Sequence, residues 1–359
     1  MLLVWVLCCC FMLVHGDDAA EEEFHICGTN HSDPPSDFLQ TLADAPALTA
    51  DEPLMTLNTY IHIAWSSQPR KHGTSMLIPV IQQRIPVDKV MQGVEHANSV
   101  LAGTAREGSV GTGLQADTRI QINVMDIIYY QVEPPSENIG DGGPLYYCNP
   151  EPVGCAGGTL GGTIPTMTSW ITAQAKDTTK FLNIFVTSTG LSGGRVDEMP
   201  FHNDLPIDSP LWGTIQNWSI FPGGYKTSHN KGASLAHEIG HFLGLYHTFS
   251  GGCNSNVNDY VLDTPAEKEP WKDTCRGNKV KVNGQWKVRN SCTTFSPGND
   301  DVSNVMDYSH DTCRDHFTAG QAARMARVFK EYKPELYAHS ISNTAPPVSS
   351  PTLSPVTTP

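Results

Sequence analysis

Positive charge is scarce in this chain: 23 lysines and arginines stand against 37 aspartates and glutamates, a formal net charge of -14 and a pI near 5.4. Phosphate backbones and anionic membrane surfaces attract lysine and arginine, so this balance excludes a general affinity for nucleic acid or acidic lipid. Long apolar runs are missing too. Beyond the first sixteen residues no stretch approaches the roughly 20 residues that cross a bilayer, and no membrane span is expected. No internal repeat of structural size is present, which sets solenoids aside. What remains is 359 residues, 39% of them hydrophobic, enough for one large domain or two small ones with a proper core.

Residues 1–16, MLLVWVLCCCFMLVHG, form an apolar stretch ending in Val14-His15-Gly16, the modest side chains that a signal peptidase accepts. They lack a positive n-region, yet read as a secretory signal, and the protein is expected to be secreted and extracellular. Of the ten cysteines, Cys8, Cys9 and Cys10 would leave with that signal. The other seven are spaced as disulfides in an oxidising compartment are, with one left over. Two sequons, Asn30-His31-Ser32 and Asn217-Trp218-Ser219, fit the same route as candidate glycan sites.

An acidic, proline-spotted stretch, 17–53, reads as a pro-segment or N-terminal arm. A folded domain is expected over 54–340. It opens with a strand at Leu57 to Trp65, and further strands are expected at Ile120 to Met125 and Leu182 to Val186. Val87, Val90, Met91, Val94, Ala97 and Leu101 recur at three- and four-residue intervals after Pro86, which predicts a helix laying one face on a sheet. A second helix is expected at Ala233 to Leu243, closed by Gly244, and a last one behind a Thr318/Gln321 capping box. The Ser, Thr and Pro tract at 341–359 cannot bury a core and resembles a stalk or linker. Strands interleaved with helices suggest a mixed α+β architecture.

The densest chemistry lies in His237-Glu238-Ile239-Gly240-His241-Phe242-Leu243-Gly244-Leu245-Tyr246-His247. Two histidines four apart share one helix face and can bind one Zn²⁺. Gly244 would end the helix so that His247 swings back as third ligand. A fourth position left to water marks a catalytic rather than a structural zinc. Glu238, directly after the first ligand, can take that water's proton and pass it to a leaving amine.

This segment resembles the metzincin metallopeptidases, and with DTPAE at 263–267 and NVMDYSHDTC at 304–313 it is similar to the pappalysin family in its cytophagalysin or ulilysin-like branch. The close resemblance covers about 220–330. It implies a twisted mixed sheet above a cleft, a zinc helix (about 233–244) below it, and a disulfide-stabilised C-terminal subdomain opened by a Met-turn (about 304–308). It implies that Met306 packs under the imidazoles and that Tyr308 hydrogen-bonds the oxyanion of the tetrahedral intermediate. It also implies the pairs Cys253 with Cys292 and Cys275 with Cys313, where sequence alone leaves three connectivities open. Cys148 and Cys155 lie close enough in the chain to close a small loop. Cys27, the odd one, sits in a Cys27-Gly28-Thr29 segment that looks like a cysteine switch, a pro-segment thiolate on zinc. Asp259, Asp263 and the carbonyls around Thr264 could hold a structural Ca²⁺, as in relatives. Asp311 could line the S1′ pocket and favour a basic residue after the scissile bond.

The expected function is zinc-dependent hydrolysis of extended polypeptides bound along an edge strand, here placed near Trp218 to Phe221. The alternatives are a catalytically silent secreted binding or adhesion protein on the same scaffold, and a zinc hydrolase acting on other carbonyls. Retention of Glu238 favours catalysis. Oligomeric state is not legible.

Overall fold

β-Branched and aromatic residues dominate Met55–Trp65, and the segment forms the second strand of a six-stranded sheet. The computed structural model describes residues 25–27, 29, 48–49, 51–65, 70–72, 76–78, 84–105, 115–131, 167–187, 192–196, 199–201, 205–253, 259–275, 279–282, 285–293 and 298–342. Their strands are β1 (His25–Cys27), β2 (Met55–Trp65), β3 (Arg70–His72), β4 (Met76–Ile78), β5 (Ile120–Gln131), β6 (Leu182–Thr187), β7 (Ser192–Arg195), β8 (Thr214–Asn217), β9 (Lys279–Val282) and β10 (Gln285–Val288). The helices are α1 (Val87–Leu101), α2 (Met167–Gln174), α3 (Ala233–Phe242), α4 (Ala319–Tyr332) and α5 (Pro334–Ser342).

The main sheet runs β1-β7-β8-β6-β2-β5, and each neighbouring pair is parallel except β7 on β8. β3 with β4 and β9 with β10 are separate two-stranded pairs. β2 lies between parallel partners and is buried on both faces, which is why its sequence does not alternate cleanly. Leu57, Ile61 and Ile63 join Val90, Val94, Ala97 and Leu101 of α1 and Leu235, Ile239 and Phe242 of α3 in one core. Each large side chain of this kind contributes roughly 1.5–3 kcal/mol by leaving water. On the opposite face Ala64, Phe185 and Ile215 pack against Trp170 and Ile171 of α2. The expected Thr318 capping box is formed: Thr318 Oγ1 accepts from Gln321 N at 3.2 Å, and Gln321 Oε1 accepts from Thr318 N at 2.9 Å.

The edge strand differs from expectation. Trp218–Ile220 is a buried 3₁₀ turn, because the Asn217 side chain accepts from Ser219 N at 2.9 Å and bends the chain out of β8. The strand beyond β8 is β7, and β1 pairs on its outer side with His25 opposite Ser192 and Cys27 opposite Gly194. Asn217 is only 1% exposed and has its side-chain oxygen engaged, so that sequon is closed to glycan in the folded chain. Asn30 lies outside the described residues. Among the described residues no helix is long and apolar enough to cross a membrane.

Candidate metal centre

α3 packs against α1 and against β7 and β8, which places its polar stripe beneath the sheet edge. The helix ends at Phe242, and Gly244 takes a φ of +88° that a side chain would strain. Through that left-handed turn, Leu245 N reaches back to Gly240 O at 2.9 Å and the chain returns His247 to the helix. The three imidazoles meet: His241 Nε2 lies 3.0 Å from His237 Nε2 and 3.1 Å from His247 Nε2, and the third side is 3.2 Å. All three rings are buried.

The hydrogen bonds on the far side of two rings set their tautomers. His237 Nδ1 lies 2.7 Å from Val305 O and His241 Nδ1 2.7 Å from Leu245 O, and a carbonyl can only accept, so each Nδ1 carries the proton. The Nε2 atoms therefore present lone pairs to one shared point. Three converging lone pairs repel unless a cation takes them up, so the donor set fits one divalent metal with an imidazole preference. This trio is the group of three or more metal-binding side chains found among the described residues.

Glu238 stands beside the first of these histidines, fully buried. β7 comes so close that a Cβ on Gly194 would lie 2.8 Å from both Cγ and Oε1 of Glu238, which explains a glycine there. The N-terminal arm closes over the same spot: Thr29 Oγ1 lies 3.4 Å from Glu238 Oε2 and accepts from Val196 N at 2.9 Å. Cys27 is opposite Gly194 in the strand register. Neither Thr29 nor Gly194 was singled out from sequence as touching Glu238. The contact joins positions 209 residues apart, and no local pattern encodes it.

Met306 is fully buried, and its Sδ lies 2.5 Å from where a Cβ on Gly240 would sit, so it packs on the underside of α3 between the two helical histidines. The Tyr308 ring stands 4.9 Å from His247 and 5.9 Å from His237, and Phe249 stacks on His247 at 4.7 Å. Disulfides join Cys253 to Cys292 and Cys275 to Cys313, with Cα separations of 5.1 and 5.2 Å. Each closes a loop of nearly forty residues in an otherwise irregular region, a constraint on the unfolded chain worth roughly 4 kcal/mol in the chain-entropy picture. Cys148 and Cys155 lie outside the described residues.

Asp259, Asp263 and Asp311 are each engaged from within the protein. Asp259 accepts from Thr264 Oγ1 at 2.7 Å and from Val261 N at 3.0 Å, and its burial pushes its carboxyl up to about 7. Asp263 accepts from Thr318 Oγ1 and Gly320 N, both at 2.7 Å, and so closes the first turn of α4. Asp311, 1% exposed, binds Arg314 at 2.6 Å through Oδ1 and takes Lys231 N at 2.8 Å and Gly232 N at 3.3 Å on Oδ2. Burial alone would raise the Asp311 carboxyl, and the Arg314 guanidinium, His229 and the Lys231 amide together more than reverse this, holding it below the usual range.

Residues 166–330 match the Peptidase_M43 family model, described as pregnancy-associated plasma protein-A. The chain is 37% identical over 164 residues to an extracellular metalloprotease of Neurospora crassa, covering 45% of this chain and 52% of that protein. It is 41% identical over 115 residues to one of Colletotrichum graminicola, covering 32% and 36%. The chain thus spans about half the length of the curated relatives it matches first. Among solved structures, mature mirolysin of Tannerella forsythia in complex with a cleaved peptide aligns with a TM-score of 0.57 at 17% identity, over 82% of this chain and all of that one. Tannerella forsythia promirolysin aligns with the same TM-score at 15% identity over 90% of this chain. Sheet and helices thus resemble the fold of those structures, and the segment 166–330, which carries the three converging imidazoles, is similar to the Peptidase_M43 family.

Proposed function

We propose that this protein is an extracellular zinc metalloendopeptidase, and the observation that carries the reading is the convergence of the His237, His241 and His247 Nε2 atoms within 3.0–3.2 Å beside Glu238. Zinc held by that trio would supply a Lewis acid that polarises the scissile carbonyl and makes water nucleophilic near neutral pH. Glu238 takes the proton of the attacking water and delivers it to the leaving amine. Tyr308 donates its hydroxyl to the oxyanion as the carbonyl carbon becomes tetrahedral. Met306 sets the floor on which the imidazoles rest. The naming of the fungal relatives as extracellular metalloproteases supports both the activity and the export route.

Latency belongs to the same reading. β1 lies along β7 with Cys27 level with Gly194, and Thr29 reaches Glu238, so an extended substrate has to displace this arm to use that edge. Cys27 is the proposed thiolate that holds the zinc of the unprocessed chain. A fold likeness that covers more of the chain in promirolysin than in the mature enzyme supports a pro-segment here. A structural Ca²⁺ around Asp259, Asp263 and Thr264 completes the assignment. Calcium there should raise the melting temperature of the wild type and leave Asp259→Asn unmoved.

The test compares zinc content and casein hydrolysis of the secreted, arm-processed protein with those of Glu238→Ala, with 1,10-phenanthroline as chelator control. One zinc per chain in both, with hydrolysis in the wild type alone, is expected. A processed wild type that holds zinc and cleaves nothing overturns the reading in favour of a binding protein.

A further inference from the structure

Arg314 is a fully buried arginine at the junction of three segments. Its Nη2 donates to Ser234 Oγ at 2.9 Å, in the first turn of α3, and to Asp311 Oδ1 at 2.6 Å. Its Nη1 faces the carbonyl oxygens of Val305 and Asp307, each at 3.4 Å, in the turn that carries Met306. Val305 O is the acceptor that orients the His237 imidazole. Asp311 in turn receives the amides of Lys231 and Gly232 just ahead of α3, where a negative charge also suits the helix dipole.

Desolvating two charges costs about what their attraction returns, so a buried ion pair is weak evidence of stabilisation and apolar side chains would fill the space as well. What apolar side chains cannot do is fix directions. The planar guanidinium presents five donors in a rigid fork, and here the fork meets a helix, the loop residue that caps it, and the carbonyl behind a histidine.

We propose that Arg314 and Asp311 form a positioning pair that locks the start of α3 to the Met306 turn and thereby sets the His237 ring, and that Asp311 serves this pair rather than substrate selection. The inference rests on the peptidase reading only for its kinetic arm. The two readings of Asp311 predict different behaviour: a pocket carboxylate changes the choice of substrate, whereas a clamp changes the hold on zinc and leaves that choice alone.

The experiment measures zinc affinity by chelator competition, together with cooperative melting, for Arg314→Lys, for Arg314→Gln combined with Asp311→Asn, and for Ser234→Ala. The lysine keeps the charge and loses the fork. The double variant strands no buried charge. Zinc affinity is expected to fall at least about tenfold in the first two, in line with the losses seen when groups behind a metal ligand are removed, and about threefold in Ser234→Ala, which loses one neutral hydrogen bond to the clamp. On peptides with lysine or alanine after the scissile bond, kcat is expected to fall with KM and the lysine-to-alanine ratio unchanged. Wild-type zinc affinity in the folded variants, or a selective loss of lysine peptides with zinc affinity intact, overturns the proposal. If the first two variants do not fold, Ser234→Ala decides alone: weakened zinc binding supports the clamp and unchanged binding sinks it. A wild type that binds zinc but cleaves nothing defeats the peptidase reading and leaves the affinity comparison standing.

Discussion

Replacing Lys333 by methionine should stabilise the protein at neutral pH, and by less as the pH rises. Lys333 ends α4 with its side chain 3% exposed. Its Nζ lies over the Trp212 ring, 5.8 Å from the Phe242 ring, and has no hydrogen-bond partner among the described residues. A cation on an aromatic face gains about 2 kcal/mol when desolvated. Losing its hydration costs an ammonium more, and burial pushes the amine down to about 6 from the usual 10.5. The folded chain then holds the amine neutral at pH 7, while the unfolded chain carries the proton.

Removing that proton across 3.5 pH units costs about 5 kcal/mol at 1.36 kcal/mol per unit. Partial relaxation of the long stem toward solvent lowers the recoverable part to about 2–5 kcal/mol. The unfolded state binds more protons than the folded state between pH 6 and 10.5, so this group makes stability rise with pH across that window. Methionine fills similar volume with no charge. Urea unfolding of zinc-loaded wild type and Lys333→Met, followed by circular dichroism, should give an advantage to the variant that shrinks by about 1.4 kcal/mol per pH unit from pH 7 to pH 9. An equal gain at both pH values would trace the effect to packing, and a loss at both would refute the buried neutral amine.

Gly194→Ala should lower kcat by about 10–100-fold with zinc retained, because its Cβ would displace the Glu238 carboxylate and misplacement by an ångström costs on that order; a kcat within twofold of wild type argues that Glu238 does not need its place. In the unprocessed chain, Thr29→Val should raise basal casein hydrolysis above wild type and Cys27→Ala should raise it further, read against the processed enzyme; no rise from either shows that the arm is not the lock. Burial alone would lower the His316 imidazole, yet its bonds to Asp301 at 3.0 Å and Asp315 at 2.9 Å hold it near 9. Its stabilisation is complete below pH 6.5 and is lost as pH rises through 9, about 3 kcal/mol in all. His316→Gln should remove that slope in urea titrations at pH 6 and 10, and an unchanged slope contradicts a charged His316.

Which features were legible follows from how each is held. His237, Glu238 and His241 lie within one helical turn, so the 3.6-residue period places them without knowledge of anything else. Gly244 was legible for the same local reason, since few residues other than glycine take a φ of +88° at a helix end. Thr318 and Gln321 cap one helix from three residues apart. β7 escaped because Ser192-Gly193-Gly194-Arg195 has no alternation to read, and the edge was placed instead at the apolar Trp218 to Phe221, where Asn217 turns the chain. Asp311 and Arg314 are the sharper case. From sequence Asp311 reads as a pocket carboxylate, and no local pattern marks Arg314 as its partner. Their burial comes from Ser234, Lys231 and Gly232, about eighty residues earlier, so it is a property of the assembled fold alone. Two of the three imidazoles and Glu238 are thus written within one element, and the groups that aim them are written between elements. Substitutions at His237 or Glu238 should therefore abolish function in any related chain, whereas those at Arg314 or Gly194 depend on what the facing segment offers, and only the latter kind need the structure to be foreseen.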